Sequence, residues 1–201
     1  MSGLLAYSSI LLVVSPLFVF ALRRSMGWAL ISALIAAGGL FIPINEVSLV
    51  LQLKGVFADL SLTSVTLLIS WPLLRMSNNS FNTSELTWLC AVISILALLL
   101  YPMALGVGPY DPYILGYQPV VLLTLAAALG IVAVQKKCWM SAATVVVVLL
   151  GYWLRVLPSQ NLWDYLLDPI LVIFAISYLL QRAYRLRIWR RSEGTPRSAE
   201  I

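Results

Sequence analysis

The sequence predicts an all-α fold: a polytopic membrane helix bundle of seven transmembrane helices, N-terminus out and C-terminus in, with a short interfacial helix before the last span. Three observations predict it. Hydrophobic residues make up 61% of the 201-residue chain, charged residues only 10%, and mean hydropathy is +0.95. A soluble domain carries about a quarter charged residues. The apolar residues also gather into seven runs, most of them near the roughly 17–25 residues that a spanning helix needs. When the chain is threaded alternately, eleven of the thirteen Lys and Arg fall on one side. The positive-inside rule makes that side cytoplasmic.

The first run is Leu4–Leu22. A cleaved signal peptide would carry a basic segment before it, whereas here Arg23 and Arg24 follow it. Those flanks describe a helix inserted with its short N-terminus outside. The second run, Met26–Ile44, holds Ala29, Ser32, Ala33, Ala36, Ala37, Gly38 and Gly39. Small residues at helical spacing let membrane helices approach closely. The third, Phe57–Leu74, carries Asp59, Thr63, Thr66 and Ser70 at spacings of four, three and four. That spacing makes one polar stripe, expected to face other helices for hydrogen bonding or to line an ion path. Asp59 is expected in the first turn, where the helix dipole favours a carboxylate.

The loop Arg75–Glu85 is polar, and Asn82 with Glu85 reads as a cap opening the fourth run, Leu86–Leu105. Its two glycosylation sequons, at Asn78 and Asn82, fall on the cytoplasmic side, where no glycosylation is expected. The Gly108–Tyr113 connection holds two prolines and Asp111, a turn or cap. The fifth and sixth runs are Tyr117–Val134 and Cys138–Leu157, joined across Lys136 and Lys137. In Ser159–Leu167, Leu162, Trp163, Leu166 and Leu167 share a helical face, with Asn161, Asp164 and Tyr165 directed away from it. That pattern predicts a short helix in the membrane interface. Asp168-Pro169 then reads as an N-cap with proline at the first helical position. The last run, Leu166–Leu180, is the shortest, and Arg182 and Arg185 can lengthen it by snorkelling.

Aromatic residues support the same topology. Trp28, Trp71, Trp88 and Trp139 fall at cytoplasmic ends, while Tyr101, Tyr110, Tyr113, Tyr117, Tyr152, Trp153, Trp163 and Tyr165 fall at outer ends. The outer side holds Glu46, Asp59, Asp111, Asp164 and Asp168 against Lys54 and Arg155, a net of −3. The inner side holds eleven basic residues against Glu85, Glu193 and Glu200, a net of +8, and the two make the chain's +5. The chain is thus one transmembrane domain over 1–201, with a basic cytoplasmic tail over 182–201. The tail is expected to attract anionic lipid head groups. Nucleic acid is not an expected partner, because the basic residues lie where orientation already places them.

The chain has no histidine, which sets aside His-ligated metals, haem and His-based hydrolases. Cys90 and Cys138 form no CxxC pair, so neither a metal nor a cofactor is expected. No phosphate-cradling glycine loop, serine elbow or internal repeat is present, and an odd helix count disfavours an inverted-repeat transporter. The leading expectation is a non-catalytic membrane subunit or accessory factor in cell-envelope biology. It would lie in a bacterial inner membrane, among membrane lipids and beside a membrane-protein partner. One alternative is an outer-face enzyme acting on a lipid-linked, phosphate-bearing substrate. Its catalytic candidates are Asp59, Asp111, Asp164 and Asp168, with Arg155 as the ligand-binding phosphate anchor, because a planar guanidinium fork binds two oxygens at once. Arg155 is equally placed to pair with Asp59 or Asp168. A second alternative is a small transporter using the helix-three stripe.

Overall fold

The computed structural model describes residues 10–40, 42–44, 47–48, 52, 59–76 and 82–193. Eight α-helices are formed among the described residues: α1 (Ile10–Leu22), α2 (Met26–Gly39), α3 (Leu62–Met76), α4 (Thr83–Ala104), α5 (Val120–Gln135), α6 (Trp139–Trp153), α7 (Trp163–Leu166) and α8 (Pro169–Glu193). Between α2 and α3, Pro43–Ile44 pairs antiparallel with Val47–Ser48, Ile44 opposite Val47. Between α4 and α5, Pro112–Gly116 forms a 3₁₀ turn.

Each helix falls on one of the expected apolar runs, apart from α7, but several boundaries differ. Helix α2 ends at Gly39, and the end of its expected run enters the small hairpin instead. Helix α3 begins at Leu62, not Phe57, because Ser61 Oγ accepts the Ser64 N–H at 3.2 Å and caps it there. Asp59 therefore precedes the helix rather than lying in its first turn. Helix α8 continues to Glu193, so the segment expected as a tail from Arg182 extends the last helix. Arginine is a good helix former, and no glycine or proline intervenes until Gly194. The rest of the tail and the sequon at Asn78 lie outside the described residues.

Helix α1 packs on α2 and α3, α3 on α6, α6 on α5, and α4 on α8. The main core lies where α3, α4, α6 and α8 meet, with Leu62, Ile93, Val148, Leu162, Leu171 and Ala175 among its buried residues. A hydroxyl fastens α1 to this core. Pro72, inside α3, has no N–H and so leaves the Leu68 carbonyl without its helical donor. Ser15 Oγ of α1 donates to that carbonyl at 2.7 Å. The proline's defect becomes the anchor for a neighbouring helix.

Two buried carboxylates set the helix directions. Asp168 Oδ1 accepts from Leu171 N at 2.8 Å, capping α8 as the Asp-Pro pair predicts. Its Oδ2 accepts from Ser61 N at 3.0 Å, Ser61 Oγ at 2.7 Å and Ser64 Oγ at 2.5 Å. One acid thus serves the N-termini of both α3 and α8, which start side by side. At the other end of the bundle Glu85, in the first turn of α4, accepts from Ser141 N of α6 at 2.9 Å. Asn82 caps α4 through Ser84 N, but Glu85 reaches α6 rather than closing the expected local box. Helices α4 and α6 therefore start together, opposite α3 and α8.

Among the described residues two helices are long and apolar enough to cross a membrane, Thr83–Ala104 and Pro169–Trp189. The other apolar helices run 10–17 residues. A 15-residue helix is about 22 Å long, short of a hydrocarbon core of about 30 Å. The exterior is nonetheless apolar: Phe20 is 72% exposed, Leu34 73%, Leu98 66% and Ile173 66%. An apolar surface of this kind is rare on a soluble monomer.

Asp168→Ala should lower unfolding stability by about 3 kcal/mol, since it removes a cap and strands several buried donors. Ser64→Ala, which deletes one donor, should cost about 1 kcal/mol. Denaturant unfolding of detergent-solubilised protein reads both. Equal effects would show that Asp168 is not the shared acceptor.

Candidate functional site

The polar residues concentrate at the end of the bundle where α3 and α8 begin. There the 3₁₀ turn and the segment between α6 and α8 are bonded into a cap. Asp111 accepts from Tyr113 N at 2.9 Å and starts the 3₁₀ turn. Asn161 joins the two segments: its Nδ2 donates to Tyr113 O at 3.0 Å, and its Oδ1 accepts Trp163 N at 2.9 Å. Leu162 N donates to Gly116 O, and Trp163 Nε1 to Pro112 O at 2.9 Å. A Cβ built at Gly116 would overlap Asn161 Oδ1, so only glycine admits this approach.

Asp164 accepts from Tyr113 Oη at 3.0 Å and from Ser159 Oγ at 2.5 Å. Tyr165, fully buried, accepts from Leu157 N at 3.2 Å, and its hydroxyl reaches Leu157 O at 3.0 Å. Its ring meets Tyr152 edge-on, centroids 5.3 Å apart. This corrects the expectation for the short helix. Helix α7 spans only four residues, and both Asn161 and Tyr165, expected to point away from its apolar face, are 0% exposed. Each has a long-range or backbone partner that repays its burial, which helical spacing alone does not reveal.

Burial, and then the Asp164 carboxylate, push the Tyr113 phenol above its ordinary range. Burial likewise raises Tyr165.

Arg155 ends α6. Val156 N donates to Gly151 O and Arg155 N to Tyr152 O, both at 3.0 Å, which are the two bonds of a Schellman turn. Arg155 holds φ of +51° at the position where glycine is the usual residue. A side chain there costs about 1 kcal/mol. Lys137 occupies the equivalent place after α5 with φ +58°, and Gly106 after α4 with φ +93°. Arg155 borders an open cleft of about 380 Å³ with Tyr117, Leu123, Tyr152, Trp153, Ser159 and Gln160. The expected Asp168–Arg155 pair is absent, because Asp168 is bonded to Ser61, Ser64 and Leu171. Among the described residues no carboxylate pairs with Arg155.

The expected polar stripe divides. Asp59 is half-buried ahead of α3, and Thr63 is 4% exposed beside an apolar crevice. Thr66 Oγ1 and Ser70 Oγ donate to carbonyls of their own helix, Leu62 O at 2.7 Å and Thr66 O at 2.6 Å. Their hydroxyls are used locally. Asp111 and Asp164 accept protein donors within the cap, both from Tyr113, and Asp168 accepts them at the junction of α3 and α8. Among the described residues no three His, Cys, Asp or Glu side chains group to hold a metal. The residues that sequence reasoning missed are Ser61, Ser64, Asn161, Ser141 and Gly116. Ser61 falls inside the expected run Phe57–Leu74, so its capping place was not readable from the run's boundary. Comparison with family models, curated proteins and solved structures returns no match.

Tyr113→Phe should lower the unfolding temperature at pH 8 by removing the Asp164 bond. A raised phenol contributes stability that is fully present below about pH 10 and lost as pH rises through its higher folded value. The difference between wild type and variant should therefore hold steady to about pH 10 and shrink above it. No difference at pH 8 would show that the bond does not hold the cap. Gly116→Ala should disrupt the cap, read as increased protease cleavage between residues 154 and 168, while unchanged protection would contradict the close approach.

Proposed function

We propose that the chain is a multi-pass protein of a bacterial inner membrane, N-terminus out and C-terminus in. Its role is that of a non-catalytic membrane subunit or accessory factor of the cell envelope. One observation carries this reading: Asp164 and Asp168 engage both oxygens with backbone, serine and tyrosine donors, in the cap and at the junction of α3 and α8, and Asp111 accepts from Tyr113 N. A general acid or base needs a free edge facing a substrate. Carboxylates so engaged act as structural acceptors instead.

The exposed apolar exterior supports membrane insertion, and the helix directions suit alternate threading. In this reading the shorter helices reach across by tilt of the bundle, local thinning and snorkelling of their basic ends. The cap with Arg155 then faces outward. Lys136, Lys137 and the basic end of α8 face the cytoplasm, where α8 carries its arginines into the anionic head-group zone.

The test is fractionation followed by labelling. The chain should remain in membranes after alkaline carbonate washing, and release would overturn membrane insertion. Single cysteines at the exposed positions Gln160 and Gln135 report orientation. The native thiols, Cys90 and Cys138, are buried and give little background. An impermeant maleimide should label Gln160→Cys in intact spheroplasts and Gln135→Cys only after permeabilisation. The reverse pattern would overturn the orientation.

A further inference from the structure

We propose that the cleft beside Arg155 binds a phosphate group, carried by a lipid head group or by a soluble phosphate ester. The inference deepens the membrane reading and rests on it for the lipid source. Arg155 is kept in a left-handed conformation that glycine adopts without strain, so the side chain is retained against backbone preference. Its guanidinium has no carboxylate partner among the described residues and borders an open cleft. Such a cation is available for an anion, and guanidinium geometry matches phosphate oxygens two at a time.

The surroundings suit that ligand. Tyr117 and Gln160 add polar groups to the same cleft. Asp164, which would repel an anion, does not line the cleft and accepts hydrogen bonds from the hydroxyls of Ser159 and Tyr113. The cleft also has an apolar approach. On α6, Val146, Leu150 and Trp153 are spaced by four and three, fall on one face, and are 54%, 53% and 78% exposed. That stripe leads along the helix to the cleft, a track for an acyl chain whose head ends at Arg155. The stripe favours a lipid over a soluble ester.

The experiment compares the full chain, purified in detergent, with Arg155→Gly, Arg155→Lys and Lys137→Gly. Glycine suits the left-handed position, so Arg155→Gly should unfold at or above the wild-type temperature without ligand. Short-chain phosphatidylglycerol, uncharged diacylglycerol, glycerol 3-phosphate and inorganic phosphate serve as probes, read by native mass spectrometry and ligand-induced shift in unfolding temperature. Wild type should bind phosphatidylglycerol more tightly than diacylglycerol. Arg155→Gly should weaken the phospholipid about tenfold or more, the loss of a charge-assisted bond. Arg155→Lys should fall between the two, and Lys137→Gly should bind as wild type. If glycerol 3-phosphate or inorganic phosphate binds as tightly and depends equally on Arg155, the phosphate site stands with a soluble source. Wild-type and Arg155→Gly proteins that bind all probes alike would overturn it, as would equal affinity for diacylglycerol and phosphatidylglycerol. Failure of membrane insertion alone would appear in the fractionation and leave the soluble-phosphate arm intact.

Discussion

The fold depends on a buried carboxylate placed between two helix N-termini. A helix begins with unsatisfied N–H groups and a partial positive charge, so two helices starting side by side repel and leave donors stranded. Asp168 answers both costs, with one oxygen on the first turn of α8 and the other on Ser61 and Ser64 at the start of α3. A buried charge is tolerated only when its hydrogen bonds are made, and here the donors come from both helices. Glu85 makes the same kind of junction for α4 and α6 at the opposite end. Together the two acids make the four central helices run as two opposed pairs.

Polar contacts have this authority because the helices themselves offer little discrimination. Their apolar residues cover most faces, so an amphipathic stripe cannot dictate which side turns inward. In a membrane, the hydrophobic effect would not distinguish a helix neighbour from an acyl chain. Orientation then falls to single contacts: Ser15 on the carbonyl released by Pro72, or Gly151, where a Cβ would run into Leu62. The first works because a proline-freed carbonyl is unsatisfied, and the second because glycine lets α6 approach α3 closely.

What could be read from the sequence follows from the range of each interaction. The Asp168-Pro169 cap was legible because its partner, Leu171, is three residues away. The other half of that carboxylate's bonding was not, since Ser61 lies 107 residues away and nothing local marks the pair. The same holds for Glu85, which capping grammar assigns to Asn82 and which instead reaches Ser141 across 56 residues. Tyr165 and Asn161 were misplaced because a helical wheel sorts polar from apolar. It has no place for a polar residue that is buried because its partners are buried too. The acidic candidates were legible as residues, but their chemistry depends on what already occupies their oxygens.

The same accounting separates Arg155 from the other charged residues of the cap. The cap's acids are consumed by the structure, and exchanging one would strand donors. Arg155 holds its turn through backbone bonds alone, which Gly106 makes as well after α4. Lys137 shows that a basic side chain at such a turn does not by itself require a ligand, because a cation near a helix C-terminus interacts favourably with the dipole. The difference lies in the setting. Lys137 stands on the end of the bundle already rich in positive charge, with Lys136 beside it. Arg155 stands among carboxylates that are all engaged elsewhere, beside an open cleft with an apolar track leading to it. Both cations gain from the helix dipole, but Arg155 alone adds a cleft within reach of its charge.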